Sequence, residues 1–169
     1  DKLAGFQWIP NTNKYVYYKD SWTSMIIGTQ GPSAVNTPTL AEINSALGTK
    51  LKNFFGTEWL DINTILVTEG GKYFTYSLPT KSGKTIAASS EKAENHTFDK
   101  FKQNLAFTED NNLFFINKNK EKIALTSNSD KNIVSGQTIS RSEFGIKGGV
   151  FWSPKSSYLA FYQKDETDV

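Results

Sequence analysis

The chain has 169 residues, of which 37% are hydrophobic and 14% aromatic, enough apolar material for one domain with a buried core. Its 19 basic and 17 acidic side chains leave a net charge of +2, too balanced to indicate a nucleic-acid partner. Cysteine is absent, which excludes disulfides, thiolate metal sites and a cysteine nucleophile. No apolar run approaches the ~20 residues that span a bilayer, so no membrane span is expected. With a single histidine, neither a metal site nor a cofactor is predicted.

One sequence unit recurs along the chain. Residues 6–18 (FQWIPNTNKYVYY) align without gaps with residues 150–162 (VFWSPKSSYLAFY), residues 96–108 (HTFDKFKQNLAFT) form a third copy, and a weaker copy begins at Trp59. In each copy an aromatic ends one strand, a polar turn reverses the chain, and a short apolar strand follows. This repeat predicts an all-β fold, a partial β-propeller of about four antiparallel blades over residues 1–169, with one short helical insertion.

Two intervals between the aromatic anchors are longer than a bare blade. Residues 37–48 predict the short helix, with Thr39 as N-cap, Glu42 completing a capping box, Gly48 ending the helix, and apolar positions 40, 43 and 47 on one face. Residues 127–149 are polar and rich in Ser, Asn and Gly. Insertions in repeat folds often carry the binding face, but the first of these two is interpreted as a spacer.

Other residues admit two interpretations each. Trp22 with residues 25–27 forms either an exposed apolar patch or, as we expect, part of an ordinary strand. His96 is interpreted as a strand-edge or turn histidine rather than a catalytic one. The acidic run 165–168 is interpreted as a solvated blade tip rather than a Ca²⁺ site.

Residues 132–169 carry the most specific pattern. The pieces are SRSEFGI at 140–146, FWSP at 151–154, LAFY at 159–162 and DET at 165–167, with LAFT at 105–108 and DNNLF at 110–114 upstream. Together they resemble the dipeptidyl peptidase IV family in its bacterial form. The resemblance spans most of the chain and is strongest from His96 onward.

The resemblance implies a propeller that precedes an α/β-hydrolase domain with a Ser-Asp-His triad, in an enzyme that releases dipeptides with Pro or Ala in second place. In that family a propeller segment with two Glu residues binds the substrate's free α-amino group. Glu143 matches the second Glu, Ser142 stands in place of the first, and Arg141 precedes them and would position the loop or the carboxylate. From the sequence pattern alone, Glu143 is interpreted as a surface carboxylate on a polar loop, and the resemblance reverses that interpretation. Arg141 is equally interpreted as a structural tie for the insertion.

The chain departs from the family pattern and lacks its catalytic parts. Residues 69–78, which correspond to a stretch that commonly presents an Arg to the substrate, contain no Arg, and Lys72 is not assigned that role. No G-x-S-x-G nucleophile elbow occurs in the sequence. We therefore expect a non-catalytic N-terminal region whose α/β-hydrolase domain is absent from this chain.

The partners and the location follow from the same resemblance. We expect peptide or protein N-termini as substrate, a catalytic domain in cis, and a periplasmic or secreted protein. Because four blades leave open sheet edges, a homodimer is also expected. The alternative function is a stand-alone β-propeller module for protein–protein binding, and the third is a self-contained enzyme.

Overall fold

The computed structural model describes residues 4–29, 37–139 and 145–168. The chain forms two compact units, Asp1–Thr85 and Ile86–Val169, and each is described by itself. Within the described residues, no helix has the length and apolar character needed to cross a membrane. In this part of the chain the elements are strands apart from one short helix, which confirms the predicted all-β class.

The first unit contains two antiparallel sheets and the helix. The first sheet has the order β1-β2-β3 and the second the order β4-β5-β6-β7. The bounds are β1 (Ala4–Trp8), β2 (Lys14–Lys19), β3 (Ser24–Thr29), α1 (Leu40–Leu47), β4 (Thr57–Asp61), β5 (Thr64–Glu69), β6 (Lys72–Ser77) and β7 (Ser82–Ala88), within which the unit boundary falls.

The second unit contains one four-stranded sheet and two short ladders. The sheet has the order β11-β10-β9-β8, and the ladders pair β13 with β14 and β12 with β15. The bounds are β8 (Glu94–Asp99), β9 (Asn104–Glu109), β10 (Asn112–Ile116), β11 (Lys122–Ala124), β12 (Ile133–Ser135), β13 (Val150–Trp152), β14 (Leu159–Phe161) and β15 (Gln163–Asp165).

The predicted repeat reappears in the register of the hairpins. In three copies the aromatic anchor pairs with a residue at the same distance along the sequence. The pairs are Trp8 with Tyr15, Phe98 with Leu105 and Trp152 with Leu159. In the weaker copy Trp59 pairs with Ile65, one residue closer, and a register shift follows at the end of the strand. Each blade thus begins with the same aromatic-ended hairpin.

The core of the first unit combines buried side chains of β2 to β6 with Ile43 of α1. On β2, Val16 and Tyr18 are buried, while Tyr15 and Tyr17 face the other way, as the period-2 pattern requires. Trp59 is 1% exposed and Ile43 of α1 is fully buried in the same cluster. Residues 25–27 lie in β3, as expected, whereas Trp22 lies in the turn before β3 with a φ of 69° and packs against this core instead of belonging to the strand.

Helix α1 begins and ends where the sequence predicts. The Thr39 side chain accepts the Glu42 amide at 3.2 Å, and Glu42 Oε2 accepts the Thr39 amide at 2.8 Å. Gly48 takes a left-handed φ of 67° and closes the helix with a bond from its amide to the Asn44 carbonyl. Glu42 also pairs with Lys81 at 2.9 Å, which ties the helix start to the turn before β7.

The face of the first sheet opposite the core carries aromatic side chains. Phe6 is 44% and Trp8 55% exposed. Phe6 contacts Tyr15 with ring centroids 5.2 Å apart, and Tyr15 contacts Tyr17 at 6.3 Å. The repeat anchor therefore occupies two environments, since Trp59 is buried and Trp8 lies on an open aromatic face.

Candidate functional site

Strands β12 and β13 lie end to end along one neighbouring strand. The segment 159–165 pairs first with β13 and then with β12, both antiparallel. Between the two ladders, the Gly136 amide donates to the Tyr162 carbonyl at 2.8 Å, and the Tyr162 amide donates to the Gly149 carbonyl at 2.9 Å. Because the amide and carbonyl of a strand residue point to the same side, both bonds of Tyr162 reach the same neighbouring position in the sheet. β12 and β13 therefore share one strand position that is interrupted between Gly136 and Gly149, which we call the interrupted strand line. Residues 137–148 are an excursion from that line.

Two glycines form the neck of this excursion. A Cβ added to Gly149 would overlap the Gln137 carbonyl and lie 2.7 Å from the Gly136 carbonyl carbon. Gly136 has a φ of 76°, and a Cβ there would lie 2.9 Å from Thr108 Cγ2 and 3.0 Å from Leu113 Cδ1. Both positions therefore need glycine, because the two limbs cross at backbone contact over the core of this unit.

The excursion carries the residues that the sequence singles out. Its described parts are residues 137–139 and 145–148, where Thr138 Oγ1 donates to the Ile146 carbonyl at 3.4 Å and bridges the two limbs. Gly145 has a φ of 74°. Arg141, Ser142 and Glu143 lie outside the described residues. The described residues on either side of them form the base of the excursion.

A polar network of neutral side chains holds the first limb. Ser135 is fully buried, and its Oγ accepts from Asn128 Nδ2 and Gln163 Nε2, both at 3.0 Å. Asn112 Oδ1 accepts the Asn128 amide at 2.7 Å. The limb is thus fixed by hydrogen bonds that carry no charge and do not titrate in the physiological range.

Asn111 completes this network from the turn between β9 and β10. Its carbonyl accepts the Ser135 amide at 2.9 Å, its Nδ2 donates to the Lys131 carbonyl at 2.9 Å, and its Oδ1 accepts from Gln137 Nε2 at 3.3 Å. The sequence places residues 110–112 in the family pattern at 110–114 and assigns Asn111 no role of its own. The one sequence signal for this network is the run of three polar residues at 110–112, and such a run does not indicate which residues they contact.

The other residues that the sequence singled out lie in ordinary structural positions. His96 is in β8, as predicted; its Nε2 lies 2.7 Å from Ser89 Oγ and its ring stacks on Phe107. Burial lowers the pKa of the His96 imidazole. Asp165 ends β15 and accepts the Thr167 amide at 3.0 Å, the geometry of a turn at a blade tip. In the parts of the chain that the structure describes, no three acidic or histidine side chains cluster as metal ligands would.

A family model matches the C-terminal part of the chain. The family model described as the dipeptidyl peptidase IV N-terminal region matches residues 68–169, which is more than half of the sequence and includes the interrupted strand line. The chain belongs to this family. As a dipeptidyl peptidase IV N-terminal region, it carries the propeller fold that its antiparallel four-stranded sheets and aromatic anchors predict. Among the described residues, α1 is the one helical insertion into this fold.

Two solved structures are similar to the whole chain. One is a Bacteroides ovatus protein assigned as a dipeptidyl aminopeptidase IV, which is 30% identical with a TM-score of 0.71 over 100% of this chain. The other is the Porphyromonas gingivalis dipeptidyl peptidase 4, which is 20% identical with a TM-score of 0.66 over 98% of this chain and shows the fold alone. The chain spans 24% and 26% of the length of these two proteins, about a quarter in each case.

Proposed function

We propose that this propeller region positions the free N-terminus of peptide substrates for a dipeptidyl-peptidase. The observation that carries the proposal is the family match over residues 68–169, a range that contains the excursion and Glu143. The pinched neck supports it further, because a binding group must be held in place to define a distance. An enzyme that releases dipeptides has to measure two residues from the amino terminus.

The proposed chemistry is recognition of an ammonium group by a carboxylate. Glu143 accepts charge-assisted hydrogen bonds from the substrate's α-amino group. Ser142 is a weaker neutral contact, since it replaces an acidic residue of the family pattern. Arg141 orients the loop or the Glu143 carboxylate. A peptide whose chain extends beyond Glu143 on its amino-terminal side presents no ammonium group to this carboxylate and is rejected.

The remaining parts of the proposal concern the whole protein. The bond is cleaved by a serine-type catalytic domain in cis, and the protein acts in the periplasm or outside the cell. The similarity to a protein assigned as a dipeptidyl aminopeptidase IV supports this activity. This chain contributes binding rather than bond cleavage.

The test is Glu143→Gln in the full-length protein that carries this chain, assayed on a dipeptide amide with a free amino terminus. Loss of a charge-assisted bond is expected to lower kcat/KM by about 30- to 3,000-fold. Glu91→Gln is the matched control, because Glu91 is an exposed carboxylate in the same unit. Unchanged kinetics in Glu143→Gln would remove this residue from the site.

A second variant asks whether Ser142 occupies the other amine-binding position. Ser142→Glu restores the acidic pair of the family pattern and is expected to lower KM for the free-amine substrate. An acetylated version of the substrate should show no such change, since it lacks the ammonium charge. An equal effect on both substrates would indicate a general electrostatic influence instead.

We also propose that copies of the chain associate. The open aromatic face of the first sheet supports this, because Trp8 and Phe6 expose large apolar rings to solvent. Sedimentation should show a concentration-dependent dimer that Trp8→Ser weakens. A strict monomer at high concentration would contradict the proposal.

A further inference from the structure

Asn111 contacts the chain on both sides of β12. Its side chain reaches Lys131 before the strand and Gln137 after it, while its backbone carbonyl holds Ser135 within the strand. Gln137 is the first residue of the excursion. A single residue therefore connects the β9–β10 hairpin to the base of the loop that carries Glu143.

The backbone of Asn111 explains why this residue type suits the turn. Asp110 and Asn111 have φ values of 48° and 64°, and Glu109 pairs with Asn112, so the two form a two-residue hairpin turn with both φ values positive. Asparagine tolerates this conformation and also offers an amide donor and acceptor. Glycine would satisfy the backbone equally well but would make none of the side-chain bonds.

Gln137 lies where the two limbs of the neck are in contact. Gln137 lies against Gly149 at backbone contact, so the first limb cannot shift without displacing the second. The Thr138 bond to Ile146 couples the limbs again one residue further along. A binding group that is held less firmly loses more conformational freedom when the substrate binds, so the affinity for the substrate falls.

We propose that Asn111 is a positioning residue, which holds the neck at Gln137 and thereby sets where the excursion presents its substrate-binding carboxylate. This inference rests on the proposed function of Glu143 for its kinetic consequence. It rests on the described contacts alone for its structural consequence. The two are tested separately.

The decisive variant is Asn111→Gly in the full-length protein. It leaves an Asp-Gly turn, one of the most favoured hairpin turns, so the fold is retained while the side-chain bonds are lost. Amide hydrogen exchange should accelerate at residues 137–139 and 145–148. KM for the free-amine dipeptide amide should rise about threefold to tenfold with kcat unchanged, as expected for the loss of neutral hydrogen bonds. Asn119→Ala, in the turn at the other end of β10, is the matched control and should change neither quantity.

A conservative variant separates the two side-chain bonds. Asn111→Asp keeps the acceptor for Gln137 Nε2 and loses the donor to the Lys131 carbonyl. Because Gln137 begins the excursion, this variant should raise KM much less than Asn111→Gly does. If Asn111→Asp and Asn111→Gly raise KM equally, the bond to Gln137 is not the positioning contact.

A double-mutant cycle distinguishes failure of this inference from failure of the proposed function. If Asn111 acts through Glu143, Asn111→Gly should have no further effect on KM in a Glu143→Gln background. If Glu143→Gln is silent but exchange at the neck still accelerates in Asn111→Gly, the proposed role of Glu143 fails and the structural part of the inference stands. Unchanged exchange, or faster exchange with unchanged KM in a protein whose Glu143 is essential, would overturn the assignment of Asn111.

Discussion

A Cβ on Gly149 would lie 2.7 Å from the carbonyl carbon of Gly136, thirteen positions earlier in the chain. The two glycines are joined further through Tyr162, whose amide and carbonyl bond to one of them each. The excursion that they enclose therefore begins and ends at one point of the sheet. Because of this close approach, position 149 has no room for a side chain, whereas the adjacent position 148 has room for one.

Gly149→Ala should destabilise the second unit, and Gly148→Ala should not. A Cβ at position 149 overlaps the backbone of Gln137, whereas a Cβ at position 148 has no heavy atom within 4 Å. Forcing atoms into a packed site costs about 1–3 kcal/mol, so the midpoint of urea unfolding should fall for the first variant only. Equal midpoints would show that the limbs separate without cost.

Glu42 should titrate far below an ordinary glutamate. The Thr39 amide, then the Lys81 ammonium, lower the pKa of the Glu42 carboxylate to about 2. Because the folded-state pKa is depressed, the stabilisation of α1 is complete above the ordinary value of 4.5 and is lost as pH falls toward 2. NMR titration of Glu42 measures this directly. Lys81→Met should raise the pKa only in part, since the Thr39 amide remains, and a wild-type midpoint near 4.5 would contradict the capping geometry.

The stability of the second unit should decrease on mild acidification because of His96. Burial lowers the pKa of its imidazole below 6.5, which favours the neutral ring in the folded state. The associated stability is therefore complete above pH 6.5 and is lost as pH falls through the folded-state pKa. His96 is the only histidine, so its NMR signals are unambiguous. His96→Gln should flatten this pH dependence, and an unchanged slope would assign it to other groups.

Lys122 should stabilise the four-stranded sheet of the second unit through two contacts at once. Its Nζ lies 2.6 Å from Glu109 Oε2 and 4.3 Å from the centroid of the Phe114 ring. Lys122→Met should cost about 1 kcal/mol of unfolding free energy and raise the lowered pKa of Glu109. Lys118→Met, in the exposed turn before β11, is the control and should be near neutral. A loss that persists unchanged in high salt would argue against the ion pair.

The hairpins of this fold could be predicted because their information is local. The spacing from Trp152 to Leu159 recurs from Phe98 to Leu105, and the structure pairs both. Helix α1 was equally predictable, since a capping box and a terminal glycine are local signals. The burial of each anchor could not be predicted in this way, because it depends on packing against other parts of the chain. Trp59 is covered by such packing, whereas Trp8 is exposed.

The candidate site was less predictable for the same physical reason. Strand β12 has three residues, too few for a period to appear, and its place is set by pairing with β15. The side-chain partners of Asn111 lie 20 and 26 residues away. Such contacts depend on how the sheet closes, which neighbouring residues do not reveal.

The interrupted strand line also bears on how relatives of this protein can diverge. Because β12 and β13 keep their partners whatever lies between Gly136 and Gly149, residues can be inserted or deleted there without a register slip. Doubling the length of a flexible loop costs only about 0.6 kcal/mol. The length of the segment between the two glycines can therefore change at little cost to the fold of the second unit.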